Sequence, residues 1–422
     1  EHTRDELGFS KMVFRQAISD IIRRRAHALP ACPRRRVVLF NASALPFSGY
    51  VETEPYLDFH AEKRPMRFLT PDGKELDIQK MDSNAAESKL FKYLVKADIA
   101  PFSHIVIETE AAPASPVAPQ CSAKVLDAND KTIAEAVPPQ PDVKGIIPMP
   151  DTSVAPYGIR AQLSNSRLGV SLNKTGIESL TLDGKPFIGS NGAQVAVFRD
   201  ASGTWGHYHK DGAIAGDRIG TFTSDAGWKI IANGPLRVAL SSELRFEQSR
   251  IFWRVTLDAN DPVVRMRLRL IYNGGLEILK LIVPFAFNAA TRTDGAPGAA
   301  AVRPFGLREW PIQDYTTAAA LNGQTLTLAT RDAYSANVGS DSVGLTLVRS
   351  PNYCHHETFR QRHPDPHVFP LTDSGEHIFD ISLIPLTSDA NAVILTEIER
   401  LKSPVIMAEA TRGMPPMHHP EL

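Results

Sequence analysis

The apolar positions of the chain change their period near residue 30. Between Phe9 and Leu29 the apolar residues recur at spacings near three and four, the repeat of an amphipathic helix. They are Phe9, Met12, Val13, Ala17, Ile21 and Ala28. Pro30 and Pro33 end the pattern, because proline removes a backbone donor and disfavours helical conformation in the preceding residue. The pattern predicts one helix whose apolar stripe needs a partner to cover it.

Short β-rich runs follow the two prolines. They lie at 37–41, 50–54 and 105–108, and proline, glycine and Asx turns separate them. This spacing predicts a small antiparallel β-sandwich. The stretches 111–119 and 138–156 are rich in proline and poor in bulky side chains, so we interpret them as linkers or excursions.

From about Ile159 one strand pattern follows another, with turn signals at 173–176 and at Asp183-Gly184. Long runs at 236–246, 251–257, 263–272 and 276–285 predict a large antiparallel sandwich. In one run Met266, Leu268 and Leu270 alternate with Arg265, Arg267 and Arg269. Because successive strand residues point to opposite faces, we interpret these arginines as a solvated sheet face.

The pattern predicts a mainly β fold with three parts. A helical stub covers 1–30, a small antiparallel β-sandwich with proline-rich linkers covers 31–150, and a large antiparallel β-supersandwich with a C-terminal tail covers 151–422. No repeat of fixed period is present in the sequence, which disfavours a solenoid or propeller.

Composition narrows the classes of partner. The 422 residues are 43% hydrophobic and 22% charged, with a net charge of −1. This balance is ordinary for a soluble globular protein and leaves no basic footprint for nucleic acid or for an anionic membrane. The longest apolar runs, such as 276–287, are too short to span a bilayer. A neutral ligand is expected, and neither nucleic acid nor a membrane is expected as a partner.

Three cysteines, Cys32, Cys121 and Cys354, are odd in number and far apart. They fit neither a disulfide framework nor the spacing of metal ligands, so we expect reduced thiols and a cytoplasmic location. The first residues, from Glu1, belong to a polar helical pattern, and we expect no secretory leader in this sequence.

Two groups of polar residues are candidates for a metal site or a catalytic site. Neutral imidazoles with Asp365 would suit zinc, but the spacing of His355, His356, His363 and His367 is irregular and interrupted by proline. We interpret this group as a loop. Asp200, Asp211 and Asp217 surround Trp205, and turn or loop roles are expected for all three. The sequence has no nucleophile elbow, P-loop or dinucleotide fingerprint.

Several segments occur in an order that points to a known family. They include Ser48 to Val51, Leu163 to Leu168, Asp200 to His207, Leu279 to Pro284, Thr346-Leu347-Val348-Arg349-Ser350-Pro351 and Asp373 to Phe379. This set resembles the C-terminal β-rich part of glycoside hydrolase family 38 α-mannosidases. The third segment departs from a bacterial subgroup, which usually carries an aspartate where Gly203 stands.

The resemblance implies a galactose-mutarotase-like large sandwich and a zinc-dependent retaining hydrolase of α-mannosides. In that family an aspartate nucleophile, a second carboxylic acid and a Zn²⁺ ion act together, chiefly in an N-terminal β/α catalytic domain. We expect that domain to be absent from this chain and to be its partner. The triplet His363-Pro364-Asp365 matches the zinc motif by accident. We therefore expect no catalytic residue, no metal ligand and no activity in the chain alone, and Zn²⁺ in the full-length enzyme.

The same resemblance implies four substrate-binding residues. Arg349 is similar in position to an arginine that reaches from the β-domain toward the active site, where a guanidinium can bind sugar hydroxyls or orient a carboxylate. Trp205 is expected to stack on a sugar ring, and His207 or Tyr208 to donate hydrogen bonds. The alternative for Arg349 is a partner within its own sheet. Asp373 and His377 are expected to fix a hairpin.

Two other functions stay open. One is a noncatalytic carbohydrate-binding or scaffold module with the same sandwich. The other is an independent epimerase or lyase, which would need a His or Glu general acid and base on one concave face. Homo-oligomerisation is also left open.

Overall fold

The computed structural model describes residues 2–54, 66–81, 92–135, 156–200, 204, 213–351, 371–387 and 391–410. The chain divides into two compact units. The first comprises Glu1–Ala118, Gln140–Asp151 and Ser403–Leu422, and the second comprises Pro119–Pro139 and Thr152–Lys402.

The first unit begins with one helix and seven strands. These elements are α1 (His2–His27), β1 (Arg35–Asn41), β2 (Phe47–Thr53), β3 (Arg67–Leu69), β4 (Glu75–Leu76), β5 (Ile78–Met81), β6 (Lys92–Ile99) and β7 (Ser103–Glu110).

The second unit carries the larger set of strands. They are β8 (Cys121–Leu126), β9 (Thr132–Glu135), β10 (Arg160–Asn165), β11 (Leu168–Asn173), β12 (Gly176–Leu182), β13 (Lys185–Pro186), β14 (Ala193–Arg199), β15 (Arg218–Thr221), β16 (Lys229–Ala232), β17 (Arg237–Phe246), β18 (Ser249–Asp258), β19 (Val264–Tyr272), β20 (Glu277–Pro284), β21 (Thr291–Ala296), β22 (Ala299–Val302), β23 (Gly306–Pro311), β24 (Tyr315–Ala319), β25 (Thr325–Thr330), β26 (Ser335–Val338), β27 (Ser342–Ser350) and β28 (Gly375–Leu386). Helix α2 (Asn391–Lys402) follows, and β29 (Ile406–Ala410) returns to the first unit.

The division into units differs from the predicted boundary at 150. Strands β8 and β9 precede that position, yet β8 pairs with β10 along its whole length and belongs to the second unit. Strand β29 lies after residue 150, yet it belongs to the first unit. Pairing between strands that are distant in sequence therefore sets the boundaries.

Two sheets form the sandwich of the first unit. The five-stranded sheet has the order β29-β1-β7-β3-β4, and the three-stranded sheet has the order β2-β6-β5. Leu39, Phe68 and Ile107 from the first sheet meet Tyr93 and Val95 from the second in one apolar core. The small sandwich predicted from the sequence is present. Its edge strand β29 was not predicted, because its partner β1 lies near the other end of the chain.

Helix α1 begins earlier than the predicted helix, and its buried residues lie near its end. Ile22 and Ala26 are buried against Val38 and Phe40 of β1. Phe9 is 63% exposed, so the described residues do not cover the predicted stripe. No helix within the described ranges combines the length and apolarity needed to cross a bilayer.

Two large antiparallel sheets build the second unit. One follows the path β23-β26-β27-β20-β14-β12-β11-β10-β8-β9, with β13 beside β12 and β15 beside β14, and the other follows β16-β17-β18-β19-β28-β25-β24-β21-β22. Side chains of both sheets share one core, in which Leu279 and Leu281 of β20 join Leu268 and Leu270 of β19. The mainly β fold expected from the sequence is confirmed.

The turn signal at Asp183-Gly184 is also confirmed. Both residues have left-handed backbone, with φ of 50° and 79°. This conformation joins β12 to β13, where Leu182 faces Lys185. Glycine adopts it without a steric penalty, and aspartate tolerates it better than most residues.

The arginines of β19 divide into two groups. Arg267 and Arg269 are exposed and bind Asp380 at 2.7 Å and Glu376 at 2.6 Å, as expected for a solvated sheet face. Arg265 instead lies beneath α2, where its Nε donates to Glu397 Oε1 at 2.8 Å. Helix α2 was not predicted from the sequence, and neither was the burial of this third arginine.

Candidate functional site

The ends of three neighbouring interior strands lie side by side at one end of the second unit's larger sheet. Strand β14 ends at Arg199, opposite Glu277 at the start of β20. Glu277 in turn faces Ser350 at the end of β27. Two sequence segments that carry candidate residues, 201–212 and 352–370, follow β14 and β27. Antiparallel pairing thus brings the attachment points of both segments to neighbouring strands.

Arg349 and Asp200 form an ion pair at these strand ends. The Nε of Arg349 donates to Oδ2 of Asp200 at 2.8 Å, and Nη2 approaches Oδ1 at 3.5 Å. The Asp200 side chain is fully buried, whereas that of Arg349 is 21% exposed. The carboxylate therefore orients a guanidinium that still reaches the surface. The structure shows the in-sheet partner considered for Arg349, and a substrate role stays a prediction.

Leu276 links the same strand ends through its backbone. Its carbonyl accepts from the amide of Asp200, and its amide donates to the carbonyl of Ser350, both at 2.7 Å. Leu276 has φ of 57°, a left-handed conformation that is unfavourable for a residue with a Cβ. Its two hydrogen bonds hold the chain in this conformation, and they fix the spacing between β14 and β27.

Glu277 and Tyr272 are buried next to these strand ends. The hydroxyl of Tyr272 donates to Oε2 of Glu277 at 3.0 Å, and both residues are buried. Burial raises the pKa of Glu277, although the hydrogen bond from Tyr272 acts in the opposite direction. Burial and the neighbouring Glu277 carboxylate raise the pKa of Tyr272 well above its ordinary value. The pair is a protonatable group beside the Arg349 strand, and the sequence pattern did not predict it.

The residues before β28 form a local turn. Asp373 has φ of 58°, and its carbonyl lies 2.8 Å from Nε2 of His377. The His377 ring stacks on Phe379 at 6.1 Å between centroids. These contacts match the structural role expected of the two residues.

Several predicted residues lie outside the described part of the chain. They are Trp205, His207, Tyr208, Asp211 and the group His355, His356, His363, Asp365 and His367. Asp217 is described and exposed, and its carbonyl accepts from the amide of Arg199 at 2.9 Å. Of the four predicted substrate-binding residues, the structure therefore places Arg349.

Side chains that commonly bind metals do not cluster in the described part of the chain. Within the described ranges no group of three His, Cys, Asp or Glu side chains could hold a metal ion. Cys32 and Cys121 are free thiols, and Cys354 is not described. Burial raises the pKa of Cys121 to about 12, so this thiol stays protonated at neutral pH.

A second buried ion pair lies on β20. Lys280 donates from Nζ to Glu309 and to the side-chain oxygen of Asn337, and it is almost fully buried. Oε2 of Glu309 also accepts from the hydroxyls of Ser335 at 2.9 Å and Thr346 at 3.1 Å. Burial lowers the pKa of Lys280, and the Glu309 carboxylate partly offsets this effect. Both side chains are satisfied, which favours a structural role.

Comparison with known proteins finds a family model that matches part of the second unit. Residues 163–367 match the model of the glycosyl hydrolases family 38 C-terminal domain. None of the curated protein sequences matches the chain.

Two crystal structures from Enterococcus faecalis resemble the fold. An α-mannosidase from strain V583 aligns over 92% of this chain and 47% of its own chain, with 12% identity and a TM-score of 0.60. A glycosyl hydrolase family 38 protein aligns over 91% of this chain and 48% of its own, with 13% identity and a TM-score of 0.62. The chain thus spans about half the length of these solved chains. At this identity the likeness shows the fold.

Proposed function

Because residues 163–367 match the model of the glycosyl hydrolases family 38 C-terminal domain, we propose that this chain is the β-rich C-terminal part of a retaining α-mannosidase. The family match is the observation that carries the proposal. Its substrates would be mannosides, and its partner would be a catalytic portion that this chain does not contain.

Arg349 is the proposed contact between this chain and the substrate. Asp200 fixes one side of the guanidinium, which is partly exposed and carries its N–H donors in a planar fork. Such a fork suits vicinal sugar hydroxyls, or a carboxylate that acts on the sugar. Because Asp200 already holds the guanidinium in place, less conformational entropy is lost when the substrate binds. This arrangement favours catalysis by positioning. Trp205, His207 and Tyr208 stay proposed contacts of the same site.

The bond-breaking chemistry is proposed to lie outside this chain. In a retaining glycosidase one carboxylate attacks the anomeric carbon, and a second carboxyl group protonates the leaving oxygen. A zinc ion in the complete enzyme would supply Lewis acidity and bind sugar hydroxyls. We place that ion in the catalytic portion together with the two carboxyl groups.

A hydrolysis assay tests the division of labour. The 422-residue chain, freed of contaminating enzymes and supplied with zinc, should not release nitrophenol from p-nitrophenyl α-D-mannopyranoside. The same chain joined to its catalytic portion should release it. Hydrolysis by the isolated chain would contradict the proposal, and so would an absence of α-mannosidase activity in the joined enzyme.

Variants of the joined enzyme test the role of Arg349. Arg349→Lys keeps the charge but loses the planar fork, so kcat/KM for the mannoside should fall by about 100-fold or more. Asp200→Asn should lower it less, because the guanidinium remains. The matched control is Arg167→Lys, which alters an exposed arginine paired with Asp183. An unchanged kcat/KM in Arg349→Lys would remove this residue from the site.

A further inference from the structure

A shallow cleft of about 370 Å³ lies near the β9 edge of the larger sheet of the second unit. Its walls come from β8, β9, β10 and the turn between β8 and β9. The lining residues are Lys124, Leu126, Asp130, Thr132, Arg160 and Gln162. Ala123, Ala161 and Leu163 alternate with them and point into the core, so the cleft opens on the outer face of the sheet.

Small polar side chains continue this face away from the cleft. Strand register places Lys124 opposite Gln162, Gln162 opposite Ser171, and Ser171 opposite Ser179. A parallel row contains Ser122, Ser164, Gly169 and Thr181. The hydroxyls of Ser122 and Ser164 are 2.8 Å apart. The result is a flat surface of hydroxyl and amide groups beside the cleft.

The charged groups of the cleft are already paired. Lys124 lies 3.1 Å from Glu135, and Arg160 binds both Asp130 and Glu178 at 2.8 Å. Two cations and three carboxylates give this group a net charge of 2 − 3 = −1. An anion is therefore not attracted, and the carboxylates are engaged by cations of the protein. The charge balance favours a neutral ligand.

Two polar groups remain available to such a ligand. The Gln162 amide and the Thr132 hydroxyl make no hydrogen bond with the described residues, and both residues are exposed. Leu126 supplies an apolar contact in the same cleft. Amide, hydroxyl and paired charged groups around an apolar contact match the alternating O–H and C–H surfaces of a sugar ring. The volume lies near the lower end of ligand sites, enough for about one or two rings.

We infer that this cleft binds a neutral saccharide of one or two rings. The site is separate from Arg349: β12 and β11 lie between β14 and β10 in the sheet. It does not require hydrolysis, so it goes beyond the proposed activity. A shallow site with few contacts binds weakly, and saturation in the millimolar range is expected.

Nuclear magnetic resonance of the 422-residue chain tests this site. The probes are methyl α-D-mannopyranoside, methyl β-D-glucopyranoside and maltose, each titrated separately, with inorganic phosphate as the anionic comparison. At least one saccharide should shift the Gln162 amide and Thr132 methyl signals in a saturable way, and phosphate should not. Gln162→Leu and Thr132→Val should each raise the Kd about fivefold, since each removes a hydrogen-bonding group from an exposed position.

Matched controls keep the test specific. Gln248→Leu and Thr291→Val make the same changes at exposed positions outside the cleft and should leave the Kd unchanged. Arg349→Lys should also leave it unchanged. The inference is overturned by the absence of a saturable shift with every saccharide, by equal shifts with phosphate, or by binding that Arg349→Lys abolishes and Gln162→Leu does not. None of these outcomes bears on hydrolysis by the joined enzyme, so the two proposals fail separately.

Discussion

Arg349 and Asp200 are 149 positions apart in the sequence and 2.8 Å apart in the structure. The carboxylate is fully buried at the end of β14, and the guanidinium leaves the end of β27 with part of its surface exposed. The contact joins the strands that precede two candidate segments. It makes Asp200 a positioning partner of the predicted substrate residue.

Asp200→Asn should destabilise the second unit by about 2 kcal/mol. The variant leaves a mostly buried guanidinium facing a neutral amide, and the remaining exposure of Arg349 moderates the loss. Urea unfolding followed by the fluorescence of Trp228 and Trp253, both fully buried in this unit, measures the change. Asp183→Asn breaks the exposed pair with Arg167 and should leave the midpoint unchanged. Equal midpoints for Asp200→Asn and the native chain would show that the buried pair contributes nothing.

Leu276→Gly should be more stable than Leu276→Ala by about 1 kcal/mol. Both variants remove the same partly exposed side chain, but glycine accepts φ of 57° without the steric strain that alanine has there. The difference in unfolding free energy between the two variants isolates the backbone strain. A more stable alanine variant would mean that Leu276 is not strained.

Stability at acid pH should depend on the contacts of α2. Carboxylates and guanidiniums alternate where this helix packs on the sheet. They are Asp258, Asp261 and Glu397 with Arg237, Arg265 and Arg400, of which Glu397 and Arg400 belong to the helix. Burial raises the pKa of Asp258 and Glu397, but the neighbouring guanidiniums outweigh it and leave both values below normal. Burial leaves the pKa of Asp261 above normal.

The directions of these pKa shifts determine whether stability rises or falls with pH. A carboxyl group with a lowered folded-state pKa stabilises fully above its unfolded pKa, about 4, and loses that contribution as pH falls toward the folded value. Asp261 acts in the opposite sense, because protonation relieves its unfavourable burial. Because the lowering of the pKa is large at Asp258 and Glu397 acts in the same sense, stability should fall below about pH 4.5.

Glu397→Gln should flatten this acid loss. The variant should be less stable than the native chain at pH 7 and approach it at about pH 3, below the ordinary carboxyl pKa, which urea midpoints across that range would record. Glu399→Gln on the same helix is the control, because Glu399 makes no hydrogen bond or ion pair with the described residues. Parallel pH curves for Glu397→Gln and the native chain would contradict this account.

Lys280→Met and Glu309→Gln should be strongly non-additive. Removing the lysine leaves a buried carboxylate with two hydroxyl donors, at a cost of about 3 kcal/mol. When Glu309→Gln is added to the same chain, the uncompensated charge is absent, so the double variant should be more stable than Lys280→Met alone. A double-mutant cycle by urea unfolding measures the coupling. Additive losses would show that the two groups do not interact.

Local sequence pattern accounts for much of the secondary structure. The period of α1, the alternation in β19 and the Asp183-Gly184 turn each depend on residues close together in sequence. Helix α2 was missed because it lies between strand-rich segments near the end of a long β pattern. Strand β29 was missed for another reason. Its partner β1 is remote in the sequence, and a run of five residues does not determine which strand it pairs with or in which register.

Sequence pattern alone predicted a mainly β chain, a resemblance to glycoside hydrolase family 38 that the domain match over residues 163–367 supports, and Arg349 as a candidate contact. Those conclusions rest on periodicity and ordered motifs, which are properties of neighbouring residues. The pairing of strands in three dimensions was needed to show that Asp200 holds Arg349, that Leu276 spaces their strands, and that Gln162 and Thr132 share a cleft. Each of these depends on the order of strands in a sheet, and burial and hydrogen bonding across that sheet select the order.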